Sequence, residues 1–284
     1  MNILITGCNG QLGNEIKLLE KEYTQHTYFN TDVAELDITD ADAIEKFVDE
    51  NNIDGIINCA AYTAVDKAET DKETCTAINT VAPAYLAAAI EKRAGWLIHI
   101  STDYVFNGTK HTPYVENDTP CPDSVYGNTK LAGELGVQKL CKRTMIIRTG
   151  WLYSTFGNNF VKTMLRLGRE KETLGVIFDQ IGTPTYAADL AKAIMTAVEK
   201  GITPDVFHFS NEGVASWYDF TLAIHRIAGI KGCHVKPLHT AEYPTPAMRP
   251  HYSVLDKTKI KQTYDIEIPH WETSLVKCIK LLEG

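Results

Sequence analysis

Short solid apolar runs alternate along the chain with stripes of helical spacing. Ile3, Leu4 and Ile5 form one run, a turn follows at Gly7–Gly13, and Ile16 and Leu19 then share one face of a helix from Asn14 to Lys21. The same rhythm predicts a strand over His26–Thr31, a helix from about Asp40 carried by Ala43, Ile44, Phe47 and Val48, and a third strand over Gly55–Asn58. A long helix is expected over Lys72–Lys92, bent or interrupted by Pro83. A fourth strand over Trp96–Ile100, a helix over Tyr126–Cys141 and a strand over Met145–Arg148 follow. Strands that are solidly apolar, without strict alternation, suit a parallel sheet covered on both faces. The pattern therefore predicts an α/β fold with a doubly wound parallel sheet.

After Thr149 the rhythm loosens into a polar and aromatic loop with Trp151, Tyr153, Gly157, Asn158 and Asn159, then a helix over Phe160–Gly168. Strand Val176–Phe178, helix Tyr186–Lys200 and strand Val206–Phe209 suggest that the chain re-enters the sheet. The expected division is a dinucleotide-binding domain over 1–150, re-entered at about 174–212, and a smaller C-terminal substrate-binding domain from 151–173 and 213–284. Tyr243–Pro250, with three prolines, reads as a fixed surface loop.

Composition narrows the class. The 284 residues carry a net charge of -8 with 44% hydrophobic content, an ordinary acidic globular chain that disfavours nucleic acid as a partner. An anionic ligand must then be held by local devices such as a helix N-terminus. Seven scattered cysteines without C-x-x-C spacing argue against a disulfide framework or a zinc site. With no export signal at Met1 and no apolar stretch near the roughly 18 residues of a membrane span, a cytoplasmic location is expected. The histidines show no metal-ligand spacing; His99 reads as a satisfied core residue, and Glu15 and Asp189 as solvated helix positions.

Gly7, Gly10 and Gly13 follow a strand and open a helix, where backbone without Cβ can turn tightly and its N–H groups can hold a pyrophosphate. Asp32, roughly 20 residues on, stands where a carboxylate accepts the ribose hydroxyls of NAD. No Lys or Arg lies between Asp32 and Asp37, so NADH is expected to be favoured over NADPH. This makes the sheet a Rossmann sheet. Small residues from Asn58 to Thr63 would let a nicotinamide pass, or pack tightly at a strand end. Thr102, just past the fourth strand, could orient a substrate oxygen or make a local turn bond. Tyr126 and Lys130 lie four apart on one helical face, and a neighbouring ammonium lowers a phenol's pKa toward the working range. A lone pair of this kind usually means surface contact. Following a dinucleotide fingerprint and a strand-end Thr in this order, it means carbonyl/alcohol redox chemistry.

The order of these motifs resembles the extended short-chain dehydrogenase/reductase family. Within it, the strings NCAAYTAVDKAE from Asn58, STDYVFNG from Ser101, YGNTKLAGE from Tyr126, RTGWLY from Arg148, GNNFVKTML from Gly157 and YPTPAMRP from Tyr243 are similar to the dTDP-4-dehydrorhamnose reductases. The resemblance implies reduction of the C4 ketone of dTDP-4-dehydro-L-rhamnose, the last step toward activated rhamnose for cell-surface polysaccharide. It implies hydride transfer from NADH or NADPH with Tyr126 as proton donor, and a Lys130 that lowers the Tyr126 pKa and bonds the nicotinamide ribose. Thr102, Asp103 and Trp151 would meet the sugar. Gly10, Gln11, Leu12, Asp32, Asp37, Ile38, Ala61, Tyr62, Thr63 and Ile100 would line the dinucleotide. Arg249, framed by prolines, could face the diphosphate or close a salt bridge within its loop. Some relatives hold a divalent ion between subunits, using a glutamate that matches Glu15. A second carboxylate position is Ala188 here, so no metal is expected and the resemblance leaves a homodimer open. Competing readings are a nucleotide-sugar epimerase or dehydratase, and a non-catalytic regulatory subunit similar to that of methionine adenosyltransferase.

Overall fold

The computed structural model describes all 284 residues. Strands β1 (Asn2–Thr6), β2 (Thr27–Thr31), β3 (Gly55–Asn58), β4 (Trp96–Thr102), β5 (Thr144–Thr149) and Val206–His208 form one sheet in the order β2-β1-β3-β4-β5 with Val206–His208 at the far edge. Every neighbouring pair is parallel. Successive residues of each strand feed two different cores. Ile3, Ile5, Ile57, Ile98 and Ile147 pack with Leu12 and Ile16 of helix α1 (Gln11–Leu19) and with Leu190 and Ile194. Leu4, Ile56, Leu97 and Ile146 pack on the other face with Ile44 and Val48 of helix α2 (Ala41–Glu50), and with Leu86 and Ile90. Both faces are covered, which is why the strands read as solid apolar runs. From β1 the chain steps to β2 on one side and then crosses back to β3 on the other, so the crevice at the carboxyl ends of β1 and β3 is the topological switch point.

The long helix is interrupted earlier than its proline. Lys72–Thr76 passes through a π-helical turn at Ala77–Val81 before Ala82–Lys92 resumes with Pro83 in its first turn. Pro83 has no N–H to donate and its ring crowds the carbonyl four residues back, at Asn79, so the preceding turn widens.

The strand expected to re-enter the central sheet near 174 does not do so. Thr173–Ile177 pairs instead with His234–Leu238 in a separate two-stranded sheet. Thr173 and Gly175 are exposed and only Val176 is buried, a pattern for a sheet with one wet face rather than for a central strand. The chain returns through helix Ala187–Lys200, which joins the first core. A third core, built on Tyr153, Phe220, Ile224, Trp271 and Leu275, lies outside the main sheet. No helix is long and apolar enough to cross a membrane.

Candidate active site

One cleft of about 1140 Å³ runs across the carboxyl ends of β1, β3 and β4. Its floor is backbone. Gly7 has φ +63°, and a Cβ there would come within 2.7 Å of the Ala60 backbone; a Cβ on Gly13 would come within 2.5 Å of the Gly7 carbonyl oxygen. The loop can therefore fold under α1 only without side chains, and Gly10 caps α1 with no side chain covering its first turn. Leu12 and Gln11 also line this floor. The Gln11 amide is drawn toward the far wall, its oxygen accepting from Asn159 at 3.0 Å. A backbone cradle at a helix N-terminus fits the pyrophosphate of a dinucleotide.

Asp32 follows β2 at the cleft edge, with its carboxylate accepting from the Asn9 and Val33 N–H groups at 3.1 and 2.9 Å. Asp37 and Ile38 line the same edge. The Asp37 carboxyl lies below its usual range because the Thr39 N–H and hydroxyl both donate to it. A local reading of residues 32–37 missed Lys17, which α1 brings to this corner. Its ammonium donates to Asn9 Oδ1 at 3.2 Å, and Asn9 in turn donates its N–H to Asp32.

Ala61 and Thr63 line the cleft, as do Cys59 and Ala60, but Tyr62 does not. The Tyr62 hydroxyl donates to Asp71 at 3.0 Å, and its backbone is clamped on both sides by the Asn79 amide from the π-helical turn. Those bonds point its side chain away from the dinucleotide floor.

Thr102, Asp103, Tyr126, Lys130 and Ile100 converge on the opposite wall. Helix Val125–Leu140 is capped by Ser124, whose hydroxyl accepts from the Gly127 N–H at 3.1 Å. Gly127 lets the helix close onto the turn after β4, since a Cβ there would sit 2.3 Å from the Tyr104 carbonyl oxygen. Tyr126 is thereby buried beside Thr102, with the Tyr104 ring edge-on at 5.5 Å between centroids. The expected lowering of the Tyr126 pKa by Lys130 is not what this geometry gives. Burial raises the phenol well above its ordinary value, opposed by the Thr102 hydroxyl, while Lys130 turns its ammonium to the Ile100 carbonyl at 2.6 Å. Tyr126 is thus held as a neutral O–H near pH 7. Burial also brings Lys130 down to about 8, against the neighbouring Glu134 carboxylate, which pulls it up. Asp103 is pushed up by burial to about 6, opposed by bonds from Ser253 and Thr102.

Trp151 closes the substrate end. It holds φ +52°, a conformation uncommon outside glycine, and stacks on Trp217 with centroids 3.5 Å apart and planes 6° from parallel. Trp217 lies 66 positions further along the chain, and no local pattern announced it as part of the cleft. Arg249 also reaches the cleft, but its salt bridge leaves its own loop. It donates to Asp66 at 2.7 Å and approaches the Tyr104 hydroxyl at 3.4 Å.

Three residues read as bland are not. Glu15 is buried, accepts from Ser154 at 2.6 Å, and is raised in pKa by burial. Asp189 accepts from Asn211 at 2.7 Å and from the Ser274 hydroxyl, tying helix Ala187–Lys200 to the last helix. His99 is buried as expected but half satisfied: Nδ1 meets the Asn58 amide at 3.1 Å and Nε2 has no partner.

With this geometry in hand, comparison with known proteins gives a consistent answer. The family described as RmlD substrate binding domain matches residues 1–283. A dTDP-4-dehydrorhamnose reductase from Aggregatibacter actinomycetemcomitans is 40% identical over 283 residues, covering 96% of each chain. The crystal structure of a dTDP-4-dehydrorhamnose reductase from Clostridium acetobutylicum superposes with a TM-score of 0.96 at 44% identity, covering 100% of both chains. That of the Bacillus anthracis dTDP-4-dehydrorhamnose reductase, in complex with NADP, gives 0.94 at 38% identity over 99% of each.

Proposed function

The chain belongs to the RmlD substrate binding domain family and is an NAD(P)H-dependent oxidoreductase, and on that premise we propose that it reduces the C4 ketone of dTDP-4-dehydro-L-rhamnose to the alcohol of dTDP-L-rhamnose. The observation that carries this reading is Tyr126 buried beside Thr102 in the same cleft as a glycine cradle and a stacked indole pair. Gly7, Gly10 and Gly13, with the N–H groups that open α1, would hold the pyrophosphate, and Asp32 the adenosine ribose. Bound there, the nicotinamide supplies a hydride to the carbonyl carbon. Tyr126 gives its phenolic proton to O4 as charge develops on it, the Thr102 hydroxyl fixes the oxygen in line, and the Lys130 ammonium would hold the nicotinamide ribose. Asp103 and Trp151 position the sugar, and Arg249 exchanges its bond to Asp66 for the diphosphate.

In this assignment residues 1–150 and the returning helix carry the dinucleotide, while 151–173 and 213–284 carry the nucleotide sugar. NADH is the favoured reductant through Asp32, with Lys17 near enough to soften the preference against a 2'-phosphate. The test is spectrophotometric: NADH or NADPH is oxidised in the presence of dTDP-4-dehydro-L-rhamnose and not without it. No oxidation with either reductant would overturn the assignment.

A further inference from the structure

Helix α1 is tied to the substrate end of the cleft by two side chains of one face. Gln11 and Glu15 stand four residues apart, and both reach the segment that follows Trp151. The Gln11 amide bridges it: its oxygen accepts from Asn159 Nδ2 at 3.0 Å, and its nitrogen donates to the Leu152 carbonyl at 3.4 Å. One turn on, the buried Glu15 carboxylate accepts from the buried Ser154 hydroxyl at 2.6 Å. Asn159 is itself fixed, since its Nδ2 also donates to the Ser154 carbonyl at 2.7 Å and its Oδ1 caps helix Phe160–Glu170 by accepting from the Lys162 N–H at 3.1 Å. At Gly157, with φ +61°, the chain passes so near that a Cβ would sit 3.2 Å from Gln11 Cγ. Residues 154–159 have no regular structure, and rings that close the substrate side stand at either end of this stretch. Trp151 stacks on Trp217, and Phe160 packs against the same indole with centroids 4.5 Å apart.

Gln11 therefore faces both ligands. Its backbone N–H is among those left open at the start of α1, where the pyrophosphate would sit, because the first helical bond runs from Asn14 to the Gly10 carbonyl. Its side chain holds the substrate-side segment. We propose that Gln11 is a positioning residue that couples the two ligands of the cleft: a dinucleotide seated on the α1 N-terminus fixes the Gln11 amide, and the amide fixes residues 152–159 with Trp151 beside them. The proposal rests on the reading that the glycine cradle takes the dinucleotide and the Trp151 end the sugar nucleotide. Ordering an irregular segment costs conformational entropy, and the ligand that binds first bears that cost for the second. The effect is reciprocal, so the sugar nucleotide tightens the dinucleotide by the same factor.

NADH and dTDP-L-rhamnose are both reduced and cannot react with each other, so the pair reports binding without turnover. Fluorescence titration should show NADH binding about 5- to 20-fold tighter in saturating dTDP-L-rhamnose than in its absence. In Gln11→Ala that gain should fall below about twofold. Asn159→Ser, which keeps an N-cap acceptor for helix Phe160–Glu170 but no longer reaches Gln11, should lose the gain equally. The double variant should lose no more than either single one, because both substitutions remove the same link. A brace without a part in coupling would lower Tm and leave the gain intact. A parent-sized gain in either folded single variant would overturn the proposal, as would the absence of any gain in a parent that binds dTDP-L-rhamnose by calorimetry. A parent that binds no dTDP-L-rhamnose would overturn the substrate reading, and the proposal with it.

Discussion

The two walls of the cleft are built from different materials. The dinucleotide side is backbone: a glycine loop whose folding forbids Cβ atoms, and the open end of α1. The reaction side is side chain: a phenol, an ammonium and carboxyls buried where each pays a desolvation cost that only its neighbours offset. A backbone cradle binds without tuning, whereas a buried polar cluster sets protonation states. Damage to the first should appear in binding and damage to the second in turnover.

The sharpest way to break that contrast is Tyr126→Phe. Removing the proton donor should lower kcat by about 10²- to 10⁴-fold while NADH affinity, followed by fluorescence titration, changes little. Near-normal turnover would show that another group moves the proton. The next largest effect belongs to the opposite wall. Gly13→Ala would drive a Cβ to 2.6 Å from Cys8 Cα, so NADH affinity should fall by about 10- to 100-fold through displacement of α1 from its loop. Retained affinity would mean that the cradle is not the pyrophosphate site.

The same contrast explains what could be read from the sequence. The glycine loop, Asp32 and the Tyr126–Lys130 pair are local patterns in one strand–turn–helix or one helix turn, and the fold brings all of them to the cleft. Burial was not local. The spacing of Tyr126 and Lys130 suggested a phenol pulled down by its neighbour; the packing of Gly127 on Tyr104 and the register of β4 place both where desolvation dominates. Trp217 reaches the site through tertiary packing with no motif to mark it, and Tyr104, Glu134 and Arg148 sat inside informative strings without a visible partner. Tyr62 lies in a stretch that lines the cleft, but its hydroxyl is taken by Asp71 and its backbone by Asn79.

Arg249 tests whether the substrate end follows the side-chain rule. It is already paired with Asp66, so part of any gain from a diphosphate is offset by the bond it gives up. Arg249→Ala should raise KM for the nucleotide sugar about 10-fold, with NADH affinity unchanged. A lower Tm with no change in KM would confine the residue to holding the Tyr243–Pro250 loop.

The smallest effect sharpens the comparison most, because it concerns the one place where the backbone wall depends on charge. Asp32 lines the cleft and is linked through Asn9 to Lys17, so an ammonium stands behind the carboxylate at this corner. A ribose with free hydroxyls gains hydrogen bonds from the carboxylate; a 2'-phosphate is repelled by it and attracted by the ammonium. Asp32→Ala should therefore weaken NADH more than NADPH, and Lys17→Ala should weaken NADPH more than NADH, each by only a few-fold, roughly 1 kcal/mol, because both groups are partly solvated. The corner is half-exposed, so the NADPH effect of Lys17→Ala should shrink as ionic strength rises. Equal losses of both dinucleotides in Asp32→Ala would show that its carboxylate serves the Asn9 and Val33 N–H groups of the loop rather than the ribose. Cofactor choice would then follow from the shape of the cradle alone.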